Sequence, residues 1–122
     1  MVLVVDDELL VAQMLAWALN RAGFTVRTTG SGAVAVDEYR AGGIDLVVLD
    51  VQMPHPWDGL RTLAALQSLD PGVRAVFVSG HTGASTTEEL LARGALRVFA
   101  KPLPSLVRWA EELRALIPGT GL

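Results

Sequence analysis

The sequence predicts an open, doubly wound α/β domain built on a parallel sheet. Three observations carry that expectation. Five short apolar runs alternate with five longer amphipathic segments. The runs are nearly continuous in Val, Leu, Ile and Ala, which is the pattern of strands covered on both faces rather than on one. Each intervening segment is long enough for a crossover helix, and strands joined by crossovers run parallel. The alternative parallel architecture, a closed eight-unit barrel, takes about 250 residues, twice what this 122-residue chain offers.

The elements follow in order. Val2–Val5 reads as the first strand. Leu9–Ala22 is a helix whose apolar stripe is Val11, Met14, Leu15, Ala18, Leu19 and Ala22, with Gly23 as its stop. Phe24–Thr28 is the second strand. Thr29, Gly30 and Ser31 are turn residues, with Ser31 as N-cap of a helix reaching Arg40 and ended by Gly42 and Gly43. Ile44–Leu49 is the third strand, followed by a proline-containing loop from Met53 to Trp57. A helix over Asp58–Leu69 is closed by Asp70, Pro71 and Gly72. Val73–Val78 is the fourth strand. A polar loop then leads to a short helix ending near Arg93 and Gly94. Leu96–Ala100 is the fifth strand and Pro104–Ile117 the last helix. Residues 118–122 read as a frayed tail, so residues 1–122 form one domain with its core over about 2–117.

Composition narrows the chemistry. Apolar residues make up 51% and charged residues 19%, which excludes a disordered chain. Cysteine is absent, so disulfides, thiolate nucleophiles and thiolate-held metals are excluded. With two histidines, His55 and His81, a multi-histidine metal site is not expected. A net charge of -3 argues against nucleic acid as a direct partner. No apolar stretch approaches the roughly 20 residues of a membrane span, and Asp6, Asp7 and Glu8 interrupt the first apolar run too early for a secretory signal. A cytoplasmic protein with no membrane contact is expected.

The polar residues that end the strands hold the functional information. The first strand ends at Asp6 and Asp7, the third at Asp50, the fourth at Ser79 and the fifth at Lys101. In an open parallel sheet all carboxyl ends share one edge, and ligands bind in the crevice there. Three carboxylates meeting in a crevice repel, by about 4 kcal/mol per pair 4 Å apart at an effective dielectric of 20. One must keep a proton or a cation must bind. An all-oxygen site with open positions suits Mg²⁺ or a similar ion. Lys101, the chain's one lysine, supplies a compact positive charge, and Ser79 a hydroxyl donor. The set reads as a phosphoryl-acceptor site with Asp50 as nucleophile. Any one of these residues alone is an ordinary turn or cap residue; their arrival at one edge is what points to a site.

These motifs resemble one family. Val4-Val5-Asp6-Asp7-Glu8, Leu49-Asp50-Val51-Gln52-Met53-Pro54, Val78-Ser79-Gly80 and Lys101-Pro102 are similar to the receiver domain of two-component response regulators, over the chain from Val2 to about Ile117. The resemblance implies a flavodoxin-like (βα)5 fold with strand order 2-1-3-4-5. It implies that Asp50 takes a phosphoryl group from a sensor histidine kinase or histidine phosphotransfer protein, catalysing its own phosphorylation and dephosphorylation. It implies Mg²⁺ (or Mn²⁺) held by Asp6, Asp7, Asp50 and the backbone carbonyl of Gln52, with Ser79 and Lys101 contacting the phosphoryl group and a cis Lys101–Pro102 bond. It also implies an output domain or partner protein that reads the signal, and it allows a homodimer on activation, although no residue demands one.

Three positions depart from the family's common pattern. Val98 stands where many receivers have an aromatic switch residue, and Phe99 falls on the opposite strand face; the loop after Ser79 and the helix beyond are then expected to carry activation. Gly59 lies nine positions after Asp50 rather than the usual eight, so His55-Pro56-Trp57-Asp58 absorbs an extra residue, with Trp57 either shielding the site or covering the start of the next helix. Gly80 leaves the phosphoryl group open to water, so a short-lived adduct is expected, with His81 a solvated loop residue. On the first helix, Leu10 and Trp17 fall off the apolar stripe, as a partner surface or as packing against the last helix. Two other function classes fit these residues less well. An interaction module would have no need of the intact site, and an aspartyl-nucleophile phosphohydrolase would carry a second Asp where Gln52 stands.

Overall fold

The computed structural model describes residues 1–54, 56–80 and 87–117. Five parallel strands and five helices alternate: β1 (Val2–Val5), α1 (Leu9–Arg21), β2 (Val26–Thr29), α2 (Gly32–Arg40), β3 (Leu46–Leu49), α3 (Gly59–Leu69), β4 (Ala75–Ser79), α4 (Thr87–Ala92), β5 (Arg97–Ala100) and α5 (Leu106–Arg114). The sheet order is β2-β1-β3-β4-β5, as the resemblance implied. The order reverses direction between β1 and β3, which opens the crevice at their carboxyl ends.

The two-sided strands produce two cores. On one face Leu3, Val5, Val47, Leu49, Ala75 and Phe77 pack with Ala35, Val36, Leu63, Leu66 and Leu90 of α2, α3 and α4. On the other, Val2, Val4, Leu46, Val48, Val76 and Val78 meet Ala12, Leu15, Ala18 and Leu19 of α1 and Trp109, Ala110 and Leu113 of α5. The central strands β1, β3 and β4 are buried throughout, whereas β2 and β5 at the edges are partly exposed.

Helix starts obey the capping rule where a cap residue is available. Ser31, Asp58 and Ser105 each accept a backbone N–H three residues on, from Val34, Arg61 and Arg108. Ser105, not Pro104, therefore sets the start of α5, and Asp58 caps α3 rather than joining it. The strands begin later than their apolar runs, because Phe24, Ile44, Val73 and Leu96 lie ahead of the ladder residues. In α1 the buried stripe is Ala12, Leu15, Ala18 and Leu19, and Met14 is exposed, contrary to the periodicity reading. Leu10 and Trp17 are exposed, which favours the surface reading over packing against α5. The expected tail at 118–122, His55, and residues 81–86 with His81 lie outside the described residues. No helix among the described residues is long and apolar enough to cross a membrane.

Candidate functional site

The sheet itself delivers the site. The N–H of Asp6 donates to the Thr29 carbonyl, that of Asp50 to the Val5 carbonyl and that of Lys101 to the Ser79 carbonyl, each at 3.0 Å. The polar residues are thus held by the last rungs of the ladder, directly after the apolar runs that form the strands. All five predicted residues, Asp6, Asp7, Asp50, Ser79 and Lys101, reach one edge. The Lys101–Pro102 bond is cis. Glu8, Asp50, Gln52, Ser79, Gly80 and Lys101 line a crevice of about 220 Å³. Glu8, which follows the acidic pair, joins this lining, and its backbone N–H donates to Asp6 Oδ1 at 2.9 Å.

Among the described residues, the electrostatics are those of an anionic site with Lys101 as its cation. One carboxylate oxygen from each of Asp6, Asp7 and Asp50 lies within 4.8 Å of the other two. Asp6 and Asp50 are buried and Asp7 is exposed. Lys101 Nζ donates to Asp6 Oδ2 at 2.8 Å and to Asp50 Oδ2 at 3.4 Å. Asp50 also accepts the Gln52 N–H at 3.2 Å and a hydrogen bond from the Ser79 hydroxyl. Burial raises the Asp50 pKa above the ordinary carboxylate value. The Lys101 charge opposes this, the Asp6 charge adds to it, and the Ser79 and Gln52 hydrogen bonds oppose it without cancelling it. Burial of Lys101 works against its charge, but the hydrogen bond to Asp6 and the charges of Asp50 and Asp6 win, so its pKa lies above the usual lysine value. Three carboxylates against one ammonium leave an excess negative charge that suits a divalent cation, and the donor atoms are all oxygens, the hard ligands Mg²⁺ takes. The residues present therefore fit such an ion.

The surrounding glycines show how tightly Asp50 is framed. A β-carbon at Gly59 would lie 2.2 Å from the Asp50 carbonyl oxygen and 2.8 Å from Val51 Cα, so α3 can start against the Asp50 backbone only with glycine there. Gly80 is open by comparison: a β-carbon there would meet Lys101 Cβ at 3.8 Å, an ordinary contact. Trp57 is half-buried and covers the start of α3, with the Arg61 guanidinium 4.8 Å from its ring centre. Trp57 also reaches α2, where a β-carbon at Gly32 would lie 2.9 Å from Trp57 Cβ and 2.2 Å from Thr62 Oγ1. The sequence reading did not single out Gly32 or Thr62; a glycine directly after a Ser cap was the available signal. Val98 packs with the α2–α4 core and Phe99 with the α1–α5 core, as strand alternation requires. The Phe99 ring stands edge-on to Trp109 at 6.4 Å.

Comparison with known proteins agrees with this geometry. The model of the response regulator receiver domain matches residues 2–111. The chain is 35% identical over 121 residues to the probable transcriptional regulatory protein TcrX of Mycobacterium tuberculosis, a match covering 99% of this chain and 51% of TcrX. The chain spans about half the length, or less, of the curated relatives it matches. Among solved structures it is similar to the receiver domain of NtrX from Brucella abortus, with TM-score 0.86 and 27% identity over 95% of this chain and 97% of that one. It is also similar to a chain of the CheX–CheY–BeF3–Mg²⁺ complex from Borrelia burgdorferi, with TM-score 0.85 and 27% identity over 94% of this chain and 87% of that one. The chain belongs to the response regulator receiver family, whose members serve two-component signalling as phosphoacceptors.

Proposed function

We propose that Asp50 is the phosphorylated residue and that the remaining strand-end residues serve its reaction. The observation that carries this reading is the burial of Asp50 between Lys101, Ser79 and a second buried carboxylate, at the open crevice of the sheet. An Asp50 carboxylate oxygen attacks the phosphorus of a phosphohistidine on a sensor kinase or phosphotransfer protein. The new O–P bond forms as the N–P bond breaks, and the imidazole leaves with the electron pair of that bond. The Lys101 ammonium and the Ser79 hydroxyl donate to the transferred oxygens. A divalent cation, Mg²⁺ or Mn²⁺, held by Asp6, Asp7, Asp50 and the Gln52 carbonyl, would neutralise those oxygens when bound. Loss of the phosphoryl group to water in the same crevice completes the cycle, and the open space at Gly80 admits that water. The signal leaves through the segment after Ser79 to an output domain or a partner protein, with a homodimer as one activated form. The cytoplasm, where such donors act, is the proposed location.

Intact-mass measurement after incubation with acetyl phosphate tests this. The wild type is expected to gain about 80 Da, the mass of one phosphoryl group, only with Mg²⁺ present, and Asp50→Asn to gain nothing. An adduct retained in the variant would move the acceptor elsewhere. No adduct together with no Mg²⁺-dependent binding of beryllofluoride would overturn the phosphoacceptor chemistry.

A further inference from the structure

The crevice at Asp50 has a floor and a rim. Asp50 and Ser79 are buried and Lys101 is half-buried, whereas Glu8, Gln52 and Gly80, which complete the lining, are exposed. Of the three rim residues only Glu8 is charged. Its place is set by the backbone: it stands in extended conformation at the N-cap of α1, and its N–H donates to Asp6 Oδ1. The side chain makes no capping hydrogen bond, so the start of α1 does not explain a glutamate here. Glu8 also stands outside the carboxylate group of Asp6, Asp7 and Asp50. A cation held by those three therefore leaves the charge of Glu8 standing.

In-line displacement gives the rim a role. The attacking oxygen of Asp50 rises from the floor, and the leaving group departs on the opposite side of the phosphorus, toward the rim. A donor with a protonated nitrogen on phosphorus carries positive charge on that side. As its N–P bond breaks, the bonding pair passes to nitrogen and a neutral amine or imidazole departs. An acyl phosphate has no such charge. As its O–P bond breaks, the pair stays on oxygen and a carboxylate anion departs. A rim carboxylate attracts the first leaving side and repels the second. The effect reaches across roughly 8 Å at physiological ionic strength, so it needs no contact between Glu8 and the donor. We infer that Glu8 is a donor-selecting residue, whose charge at the rim favours phosphoryl transfer from nitrogen–phosphorus donors over acyl phosphates. The inference rests on the phosphoacceptor reading given above.

Phosphorylation rates with phosphoramidate and with acetyl phosphate, followed by intact mass at saturating Mg²⁺, test it on the intact chain. Glu8→Gln is expected to lower the ratio of the phosphoramidate rate to the acetyl phosphate rate about three- to tenfold, and Glu8→Lys to lower it further. About 0.5 M KCl should shrink both shifts, because salt screens exposed charges. A ratio that stays at the wild-type value in both variants overturns the inference. So does an equal change with both donors, the mark of a lost cation or a distorted site. A Glu8→Lys ratio no lower than that of Glu8→Gln also counts against it, since the effect must follow the charge. Wild type phosphorylated by neither donor defeats the inference, and beryllofluoride binding then decides whether the phosphoacceptor reading falls with it. Wild type phosphorylated on Asp50 at a ratio the variants share defeats the role of Glu8 alone.

Discussion

Asp50 is chemically useful because the fold holds it at a cost. Burial raises its pKa, and Asp6 adds repulsion that Lys101, Ser79 and Gln52 do not fully offset. A carboxylate whose folded pKa is raised favours folding while it is protonated, below its unfolded pKa. That contribution is lost as pH rises through the folded value. At neutral pH the ionised form is therefore a liability. Asp50→Asn is expected to raise the melting temperature at pH 7 by about 2–5 °C. The gain should shrink toward pH 3, below the ordinary Asp value of about 3.9, where wild-type Asp50 is protonated in both states. Thermal melts at the two pH values check this; a lower melting temperature for the variant at pH 7 would show that the Lys101 pair outweighs the burial. The site residues were legible one by one because each ends an apolar run. Their balance of charge was not, since it depends on which carboxylates are buried: Asp6 and Asp7 are neighbours in sequence, yet one is buried and the other exposed.

At the scale of elements, two contacts fix how α2 and α3 meet the sheet. Gly59 begins α3 against the Asp50 carbonyl, so Gly59→Ala must push the helix away from Asp50. The expected loss is about 2–3 kcal/mol, read from denaturant unfolding, as for other overpacked sites. The second contact joins α2 to the turn after α3, where Tyr39 Oη donates to Asp70 Oδ2 at 2.6 Å. Burial, that hydrogen bond and the Asp70 charge push the phenol pKa from 10.0 to about 12. The same hydrogen bond, with one from the Gly72 N–H, holds the Asp70 carboxyl below its usual range. The tyrosine's contribution is complete below pH 10 and is lost as pH rises through about 12. The carboxylate's is present above the ordinary Asp range and lost as pH falls, so the link is intact throughout the neutral range. Tyr39 is the one tyrosine in the chain, which makes the phenolate absorbance band unambiguous. Its midpoint should lie near 12 in the wild type and move toward 10 in Asp70→Asn. Element order and type were legible because period and punctuation agree along the chain. The ends shifted where an apolar residue packs under the sheet without joining the ladder, as at Ile44 and Phe24, or where a cap residue outcompetes a proline, as Ser105 does beside Pro104. Contacts such as Gly32 on Trp57 and Thr62 join segments far apart in sequence, and no local pattern announces them.

For the molecule as a whole, the two cores divide the labour. Alternate residues of every central strand belong to different faces, so among the described residues the α2–α4 side and the α1–α5 side build separate apolar cores on the two faces of the sheet. The α1 face carries exposed Leu9, Leu10, Met14 and Trp17, and Val11, Met14, Leu15, Val78, Pro102 and Leu103 line an apolar groove that ends at Lys101. An exposed apolar patch of this kind, continuous with the crevice, suits a phosphodonor protein. Trp17→Ala is expected to leave stability within about 0.5 kcal/mol and acetyl phosphate reactivity unchanged, while slowing transfer from the cognate kinase. Equal rates from the kinase in both proteins would remove Trp17 from that surface. Lys101 stands where the groove and the crevice meet, and it is the only lysine side chain in the chain. Protein grown on isotope-labelled lysine would therefore contain one labelled ammonium, and its NMR resonance needs no assignment. Its shift and proton-exchange rate would report ion occupancy, phosphorylation and donor docking in a single spectrum, without any engineered probe.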